Sequence, residues 1–301
     1  MKILVTGASG FIGSTICKLL ESTEHKTYGV SRRKSFLNDS GTQEFLAVDV
    51  SDRYAIERIA TDIPRCDAII HAAAEINMES YPSSLVQSNC LGVLNVQLLA
   101  ELWDTTHFVF LSSIPVIGSP KVTPITEEHP THPLTTYHST KLFGENLVSI
   151  LSKNRNYFSL RLSAPVGVGM PRNRLLSTIL RKALVNESIG LAGQGGRKQN
   201  YVDAMDIACA SLLCLSSNNS GIYNIAGSFS LSNLSLAKRC LEICGSTSDI
   251  VFTGQEDPAE RVDWDISIDK AAKQLGFNPS FTIDDTIANI IAAYRGQERS
   301  L

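Results

Sequence analysis

The opening fourteen residues, MKILVTGASGFIGS, restrict the fold more than any other stretch of the chain. Lys2 to Thr6 encloses the unbroken apolar run Ile3, Leu4 and Val5 and stops at Gly7, which predicts a short strand buried on both faces of a parallel sheet. Phe11, Ile12, Ile16, Leu19 and Leu20 then recur at helical intervals, with Ser9 and Gly10 as the turn in front of them. In such a strand–turn–helix, Gly7 permits the turn, Gly10 lets backbone amides approach a pyrophosphate, and Gly13 lets the helix pack closely on the strand. The amino end of the helix then faces the anion. Three glycines alone also describe an ordinary βα corner, but the strand before them and the helix after them favour dinucleotide binding.

The later strands matter for what their carboxyl ends present, because ligands of open α/β sheets sit there. Lys26 to Val30 is the second strand, and Ser31, Arg32 and Arg33 follow it. An NAD site places an acid here to grip the ribose hydroxyls, whereas a hydroxyl beside two guanidiniums suits the 2′-phosphate of NADP. NADP is therefore expected in preference to NAD, with an exposed basic loop as the alternative. Glu44 to Val48 is a third strand, followed by Asp49-Val50 and by Ser51-Asp52 as the cap of a helix from Arg53. Ala68 to His71 is the fourth, and its tail of Ala72, Ala73 and Ala74 leaves room for a flat ligand against the backbone. Pro82 to Leu102 reads as one long helix, too apolar all round for a lone surface helix and so buried, partly against another subunit. Asn89 is its polar exception and needs partners. Phe108 to Leu111 is the fifth strand and delivers Ser112 and Ser113 at its end.

After a turn-rich segment comes Tyr137-His138-Ser139-Thr140-Lys141, with Leu142, Phe143, Leu147, Val148 and Leu151 at helical spacing behind it. Tyr137 and Lys141 are four apart and project from one face of a helix. A free phenol, with a pKa near ~10, is a poor acid or base at neutral pH. An adjacent ammonium stabilises the phenolate and draws that value toward the working range. A packed tyrosine beside a solvated lysine is the plainer alternative.

Composition limits the partners. The 301 residues suffice for one large α/β domain or a dinucleotide domain with a smaller companion. A net charge of −3 with 19% charged residues speaks against a nucleic-acid surface, and no apolar run approaches the ~20 residues of a membrane span. The amino terminus reads as a strand rather than a secretory signal, so a cytoplasmic protein is expected. Seven cysteines without a C-x-x-C pair read as reduced, mostly buried thiols, and Cys240 with Cys244 lacks partners for a metal site. The cluster Glu127-Glu128-His129-Pro130-Thr131-His132 reads as a solvated loop rather than a metal site, because two prolines deny it a fixed face.

TGASGFIG, Asp49-Val50, HAAA, SSIPVIG and YHSTK, in this order, resemble the extended short-chain dehydrogenase/reductase family of nucleotide-sugar epimerases, dehydratases and ketoreductases. The likeness continues through RLSAPVG at Arg161 to Gly167, GQGGRKQNYVDAMDIA at Gly193 to Ala208, YNIAG at Tyr223 to Gly227 and DISIDKAAKQLGFNP at Asp265 to Pro279. It implies a Rossmann-type doubly wound parallel sheet with a smaller, discontinuous C-terminal substrate domain. Residues 1–166 with 198–229 would form the dinucleotide domain, and 167–197 with 230–301 the substrate domain.

By position the resemblance implies Tyr137 as catalytic acid/base, Lys141 as its tuner and a ligand of the nicotinamide ribose, and Ser113 as the hydroxyl that orients the reacting oxygen. It implies a cofactor set of Gly7, Gly10, Phe11, Ile12, Gly13, Ser31, Arg32, Arg33, Asp49, Val50, Ala72, Ala73, Ala74, Asn89, Tyr137, Lys141, Pro165 and Val166. Arg197 and Arg261 fall where the family holds the diphosphate of a nucleotide sugar, which suits a bidentate guanidinium; surface ion pairs are the alternative for both.

Three departures qualify the likeness. Ala164 stands where the family often has an asparagine for the substrate's diphosphate side, and Ile117 stands where it has a tyrosine. Ile114 and Pro115 replace the Asp-Glu pair with which dehydratases eliminate water, a step that needs an acid and a base, so a dehydratase is disfavoured. The expectation is an NAD(P)-dependent oxidoreductase moving hydride at a sugar carbinol carbon, with a 4-keto reductase preferred and a 4-epimerase as the alternative. A non-catalytic dinucleotide-sensing protein and a reductase of non-nucleotide ketones are further readings. A homodimer is expected through the two apolar helices.

Overall fold

The computed structural model describes residues 1–32, 44–76, 83–151 and 155–298. Among the described residues the strands run in chain order as β1 (Lys2–Thr6), β2 (Lys26–Ser31), β3 (Glu44–Ala47), β4 (Ala68–His71), β5 (His107–Ser113), β6 (Asn156–Leu162), β7 (Ala164–Val166), β8 (Ile189–Leu191), β9 (Lys198–Asp203), β10 (Gly221–Ile225), β11 (Ser230–Ser232) and β12 (Ile250–Phe252). The helices are α1 (Phe11–Glu21), α2 (Arg53–Asp62), α3 (Ser83–Val86), α4 (Gly92–Leu102), α5 (Thr136–Leu151), α6 (Leu175–Leu184), α7 (Ala204–Leu215), α8 (Asn233–Cys244), α9 (Asp269–Leu275) and α10 (Ile283–Glu298).

Seven strands form one parallel sheet in the order β10-β6-β5-β4-β1-β2-β3. The chain winds outward from β1 in one direction, then from β4 in the other. Between β1 and β4 the strand order reverses, and the crevice beyond their carboxyl ends is where such sheets bind ligands. Alternate residues of β1 explain the apolar run: Ile3 and Val5 join Ile16, Leu20 and Ile207 under α1 and α7, while Leu4 faces Ile56, Val93 and Val96 under α2 and α4. Burying each such side chain is worth about 1.5–3 kcal/mol, so the sheet needs helices on both faces.

The strand Gly221–Ile225 pairs with β6 and so rejoins this sheet from the second half of the chain. Helices α6, α8 and α10 share a separate core of Leu176, Ile179, Leu180, Leu236, Ala237, Ile287 and Ile290. A three-stranded sheet, β11-β9-β7, pairs β9 with β7 in parallel and with β11 antiparallel.

Two of the differences from the sequence reading bear on the candidate site. β5 extends to Ser113 because its register continues, Ser112 against Arg161 and Ser113 against Leu162, so both serines are strand residues. The long helix is broken: a widened π-turn over Gln87–Leu91 separates α3 from α4 and carries Asn89 inward to 4% exposure. Pro82, its expected first residue, lies outside the described residues. Val86, Leu91, Leu102, Phe143 and Ile150 are exposed on α3, the π-turn, α4 and α5, the face where the sequence places a two-fold contact.

Candidate active site

The glycine corner is built as its spacing requires. Gly7 adopts φ +68°, and a Cβ there would stand 2.7 Å from the Ala73 backbone, so the end of β4 lies directly against the turn. A Cβ on Gly13 would stand 2.1 Å from the Gly7 carbonyl oxygen. The amide of Gly10 donates to that same carbonyl at 2.8 Å, and no side chain caps α1. The first-turn amides of α1 therefore keep the partnerless character that attracts an anion.

A cleft of about 350 Å³ opens at this corner, lined by Gly7, Ser9, Gly10, Ser31, Arg32, Val48, Asp49, Val50, Ala72, Ala73, Ala74, Glu75 and Ser88. Its narrow floor, which tolerates no added Cβ at Gly7, and its uncapped helix end fit a dinucleotide. Asp49 is held by the Ser51 amide at 2.9 Å and the Ser51 hydroxyl at 2.8 Å. Arg32 is exposed at the rim, whereas Arg33 lies outside the described residues.

Four of the expected cofactor residues turn their side chains to protein neighbours. The side chains of Phe11 and Ile12 pack into the two apolar cores beside α1, leaving their backbone amides as what they offer the cleft. Asn89 faces away from open space, with Nδ2 donating to the Glu75 carbonyl at 3.0 Å and to the Thr140 hydroxyl at 2.9 Å, and Oδ1 accepting from the Glu75 amide. It staples the cleft wall to α5, since Thr140 in turn donates to the Tyr137 carbonyl at 2.7 Å. Val166 is buried in the core of α6 and α8, beside half-buried Pro165.

At the far end of the crevice, α5 sets Tyr137 and Lys141 against the end of β5. Tyr137 is 7% exposed and Lys141 4%. Lys141 Nζ donates to the Leu111 carbonyl at 2.7 Å and lies 5.0 Å from the Phe110 ring centre and 5.8 Å from that of Tyr137. Gly144 makes this possible, because a Cβ there would overlap the Phe110 ring. Half-buried Ser113 follows on the same strand.

The electrostatics depart from the sequence argument. Burial pushes the Tyr137 phenol up to about 12, with exposed Arg174 at the start of α6 as the cation drawing it down. The Lys141 ammonium is engaged by a backbone carbonyl instead, and burial lowers it to about 8 against the pull of Glu145. Desolvation therefore outweighs the lysine–phenol attraction in this geometry. His138, edge-on to Tyr137, and His71, stacked on Phe110, are held neutral by burial and then by Lys141, at about 4 and about 3.

Sequence reasoning missed Glu145, Arg161, Thr140 and Arg174. Glu145 was findable, standing one helical turn beyond Lys141; Arg161 is brought to it by strand register alone. The segments that carry Arg197 and Arg261 adjoin, with the Lys198 amide donating to the Val262 carbonyl at 3.0 Å. Neither arginine forms an ion pair among the described residues. The loop after Glu127 is not simply solvated: His129 is 5% exposed and accepts from the Lys121 amide, and the Glu127 carboxylate accepts from the Asn224 amide at 2.8 Å. Among the described residues no His, Cys, Asp and Glu group is arranged to hold a metal, and no helix is long and apolar enough to cross a membrane.

Comparison with known proteins agrees with this geometry. A UDP-glucose 4-epimerase of Streptococcus mutans is 29% identical over 331 residues, covering 97% of this chain and 95% of that protein. A dTDP-glucose 4,6-dehydratase of Streptomyces niveus is 25% identical, covering 98% and 93%. In fold the chain is similar to a Thermotoga maritima UDP-glucose 4-epimerase solved with UDP-glucose, at TM-score 0.91, 22% identity and 99% and 100% coverage. It is also similar to a Thermus thermophilus UDP-glucose 4-epimerase solved with NAD, at TM-score 0.87, 23% identity and 98% and 99% coverage. The family model of the NAD dependent epimerase/dehydratase family matches residues 3–226, and the chain belongs to that family.

Proposed function

We propose that this protein is a nucleotide-sugar 4-epimerase, with Tyr137 as acid/base, Lys141 as its cationic neighbour and Ser113 as the hydroxyl that orients the sugar oxygen. The observation that carries this reading is the juxtaposition of Tyr137 and Lys141 with Leu111–Ser113, at the carboxyl end of β5 and beside a dinucleotide-shaped cleft. A nicotinamide dinucleotide, when bound, accepts and returns the hydride at the sugar carbon. Gly7, Gly10, Gly13 and the first turn of α1 would hold its pyrophosphate, and Ala72 to Ala74 its flat face. Tyr137 takes the proton of the sugar hydroxyl as the carbonyl forms and returns it on reduction. The Lys141 charge lowers the cost of the phenolate that Tyr137 must be before it takes that proton and after it gives the proton back. Arg197 and Arg261, on adjoining backbone segments and without an ion pair among the described residues, would take the diphosphate of the substrate. Residues 167–197 with 230–301 would then be the substrate-binding part, and 1–166 with 198–229 the dinucleotide part.

Buried Ile114 and half-buried Pro115 follow Ser113, where water elimination would need an acid and a base, and this supports an epimerase over a dehydratase. Relatives named as epimerases move the balance away from the reductase that the sequence reading preferred. One observation still favours the reductase: Ser31 and Arg32 line the cleft where NADP carries its 2′-phosphate. Incubating the purified protein with UDP- and dTDP-sugars separates the two. An epimerase interconverts sugars with no net change in cofactor absorbance; a reductase oxidises one NADPH per turnover on a 4-keto sugar. Tyr137→Phe should lower either rate at least about a thousandfold, within the range of acid–base contributions, with cofactor affinity kept. An unchanged rate would reject the role given to Tyr137.

A further inference from the structure

Beneath the reacting hydroxyls lies a buried ionic cluster. Glu145 follows Lys141 by one turn of α5, so both project from the same face. Lys141 Nζ donates to the Leu111 carbonyl at 2.7 Å, and the Ser112 hydroxyl donates to Glu145 Oε1 at 2.5 Å. Consecutive turns of the helix thus hold consecutive residues of β5, and the next residue on the strand is Ser113. Arg161 of β6 closes the far side, with Nε donating to Oε1 at 3.0 Å and Nη2 to Oε2 at 2.9 Å. Its Nη1 donates to the Glu127 carbonyl at 3.2 Å. Glu145 is 2% exposed and Arg161 3%. A buried ion pair adds little net stability, because desolvation offsets the attraction, so packing alone does not account for charges at this place.

We propose that Glu145 is a positioning residue of the reaction: through Ser112 it holds the strand end that presents Ser113, and from the next turn of α5 it places a buried negative charge beside the Lys141 ammonium. The inference rests on the roles proposed above for Ser113, Tyr137 and Lys141. The groups around Lys141 are His71 from β4, Tyr137, His138 and Glu145 from α5, Arg161 from β6 behind Glu145, and Arg174 at the start of α6 beyond Tyr137. Both histidines are neutral near pH 7. Among the described residues, Glu145 is the carboxylate that acts on Lys141. Removing it leaves burial opposing the ammonium with no carboxylate against it among the described residues.

The test reads Lys141 directly, by NMR titration of 13Cε/15Nζ-labelled lysine in the full-length protein, with Lys141→Arg assigning the resonance. In Glu145→Gln the proton affinity of Lys141 should fall at least about tenfold, one pKa unit. Should that variant fail to fold, Glu145→Gln combined with Arg161→Met removes the stranded charge and is titrated instead. Ser112→Ala, which leaves the ion pair intact, should lower kcat about tenfold with KM unchanged and the thermal midpoint down by only a few degrees for the lost hydrogen bond. A Lys141 affinity within about threefold of wild type in the carboxamide variants, or a wild-type kcat in Ser112→Ala, would overturn the proposal. A wild type that turns over no nucleotide sugar would remove the proposed activity while leaving the lysine titration readable, so the two failures are distinct.

Discussion

Replacing Gly13 with alanine puts a methyl group where the backbone leaves no room for one. Its Cβ would stand 2.1 Å from the Gly7 carbonyl oxygen, 2.7 Å from the Gly7 carbonyl carbon and 3.1 Å from Ala8 Cα. Ordinary contact begins at 3.4 Å, so α1 must withdraw from the turn by about 1.3 Å. Every one of these atoms is backbone, and no side chain can swing aside. Overpacking of this kind costs about 1–3 kcal/mol, and alanine's higher helix propensity returns about 1 kcal/mol. The net loss of about 0–2 kcal/mol lowers the thermal midpoint by only a few degrees in a chain of this size. Binding suffers more, because the first-turn amides of α1 move with the helix. Misaligning one or two charge-assisted hydrogen bonds at about 1.5 kcal/mol each weakens dinucleotide affinity about 10- to 100-fold. Isothermal titration with NAD and NADP beside scanning calorimetry measures both quantities. Gly296→Ala in α10, with nothing within 4 Å of the added Cβ, is the control and should gain up to about 1 kcal/mol with affinity unchanged. Gly13→Ala binding within about threefold of wild type would refute the view that close helix–strand contact forms the anion site.

Acid should destabilise the fold through His71. Its ring is 1% exposed, bonded to the Thr6 hydroxyl at 2.8 Å, and held neutral down to about 3 by burial and Lys141. The unfolded chain takes up that proton near ~6.5, so the stabilisation is complete above this value and is lost as pH falls toward 3. The loss at pH 5 is about 2 kcal/mol, and His71→Asn should lose correspondingly less between pH 7 and 5. Equal pH dependence of the thermal midpoint in the two proteins would contradict this. Arg32→Ala should lower NADP affinity about tenfold relative to NAD, as expected for one charge-assisted contact to a phosphate at an exposed rim. An unchanged ratio by titration would remove the case for the 2′-phosphate.

Local pattern decided the glycine corner and the elements around it. The apolar run at Ile3 to Val5, the glycine spacing at 7, 10 and 13 and the helical recurrence from Phe11 are short-range features, and a strand, a turn and a helix form from short-range constraints. The i, i+4 pairing of Tyr137 with Lys141 is equally local, as is the strand that delivers Ser113. What these groups do to one another was not local. Whether Lys141 meets the phenol or the Leu111 carbonyl depends on how α5 lies across β5, and that follows from Phe110 fitting into the space left by Gly144. The inward turn of Asn89 needed a widened helical turn that no residue type announces. The meeting of Glu145 with Arg161 needed two strands in register, and the pairing of the Arg197 and Arg261 segments joins stretches of chain more than sixty residues apart. Sequence alone determined the strand, turn and helix of the glycine corner and the placing of Tyr137 and Lys141 on one helix face, because propensity and periodicity act over a few residues. Only the tertiary structure decided proton affinities and partners, because burial and charge are set by neighbours that the chain brings from a distance.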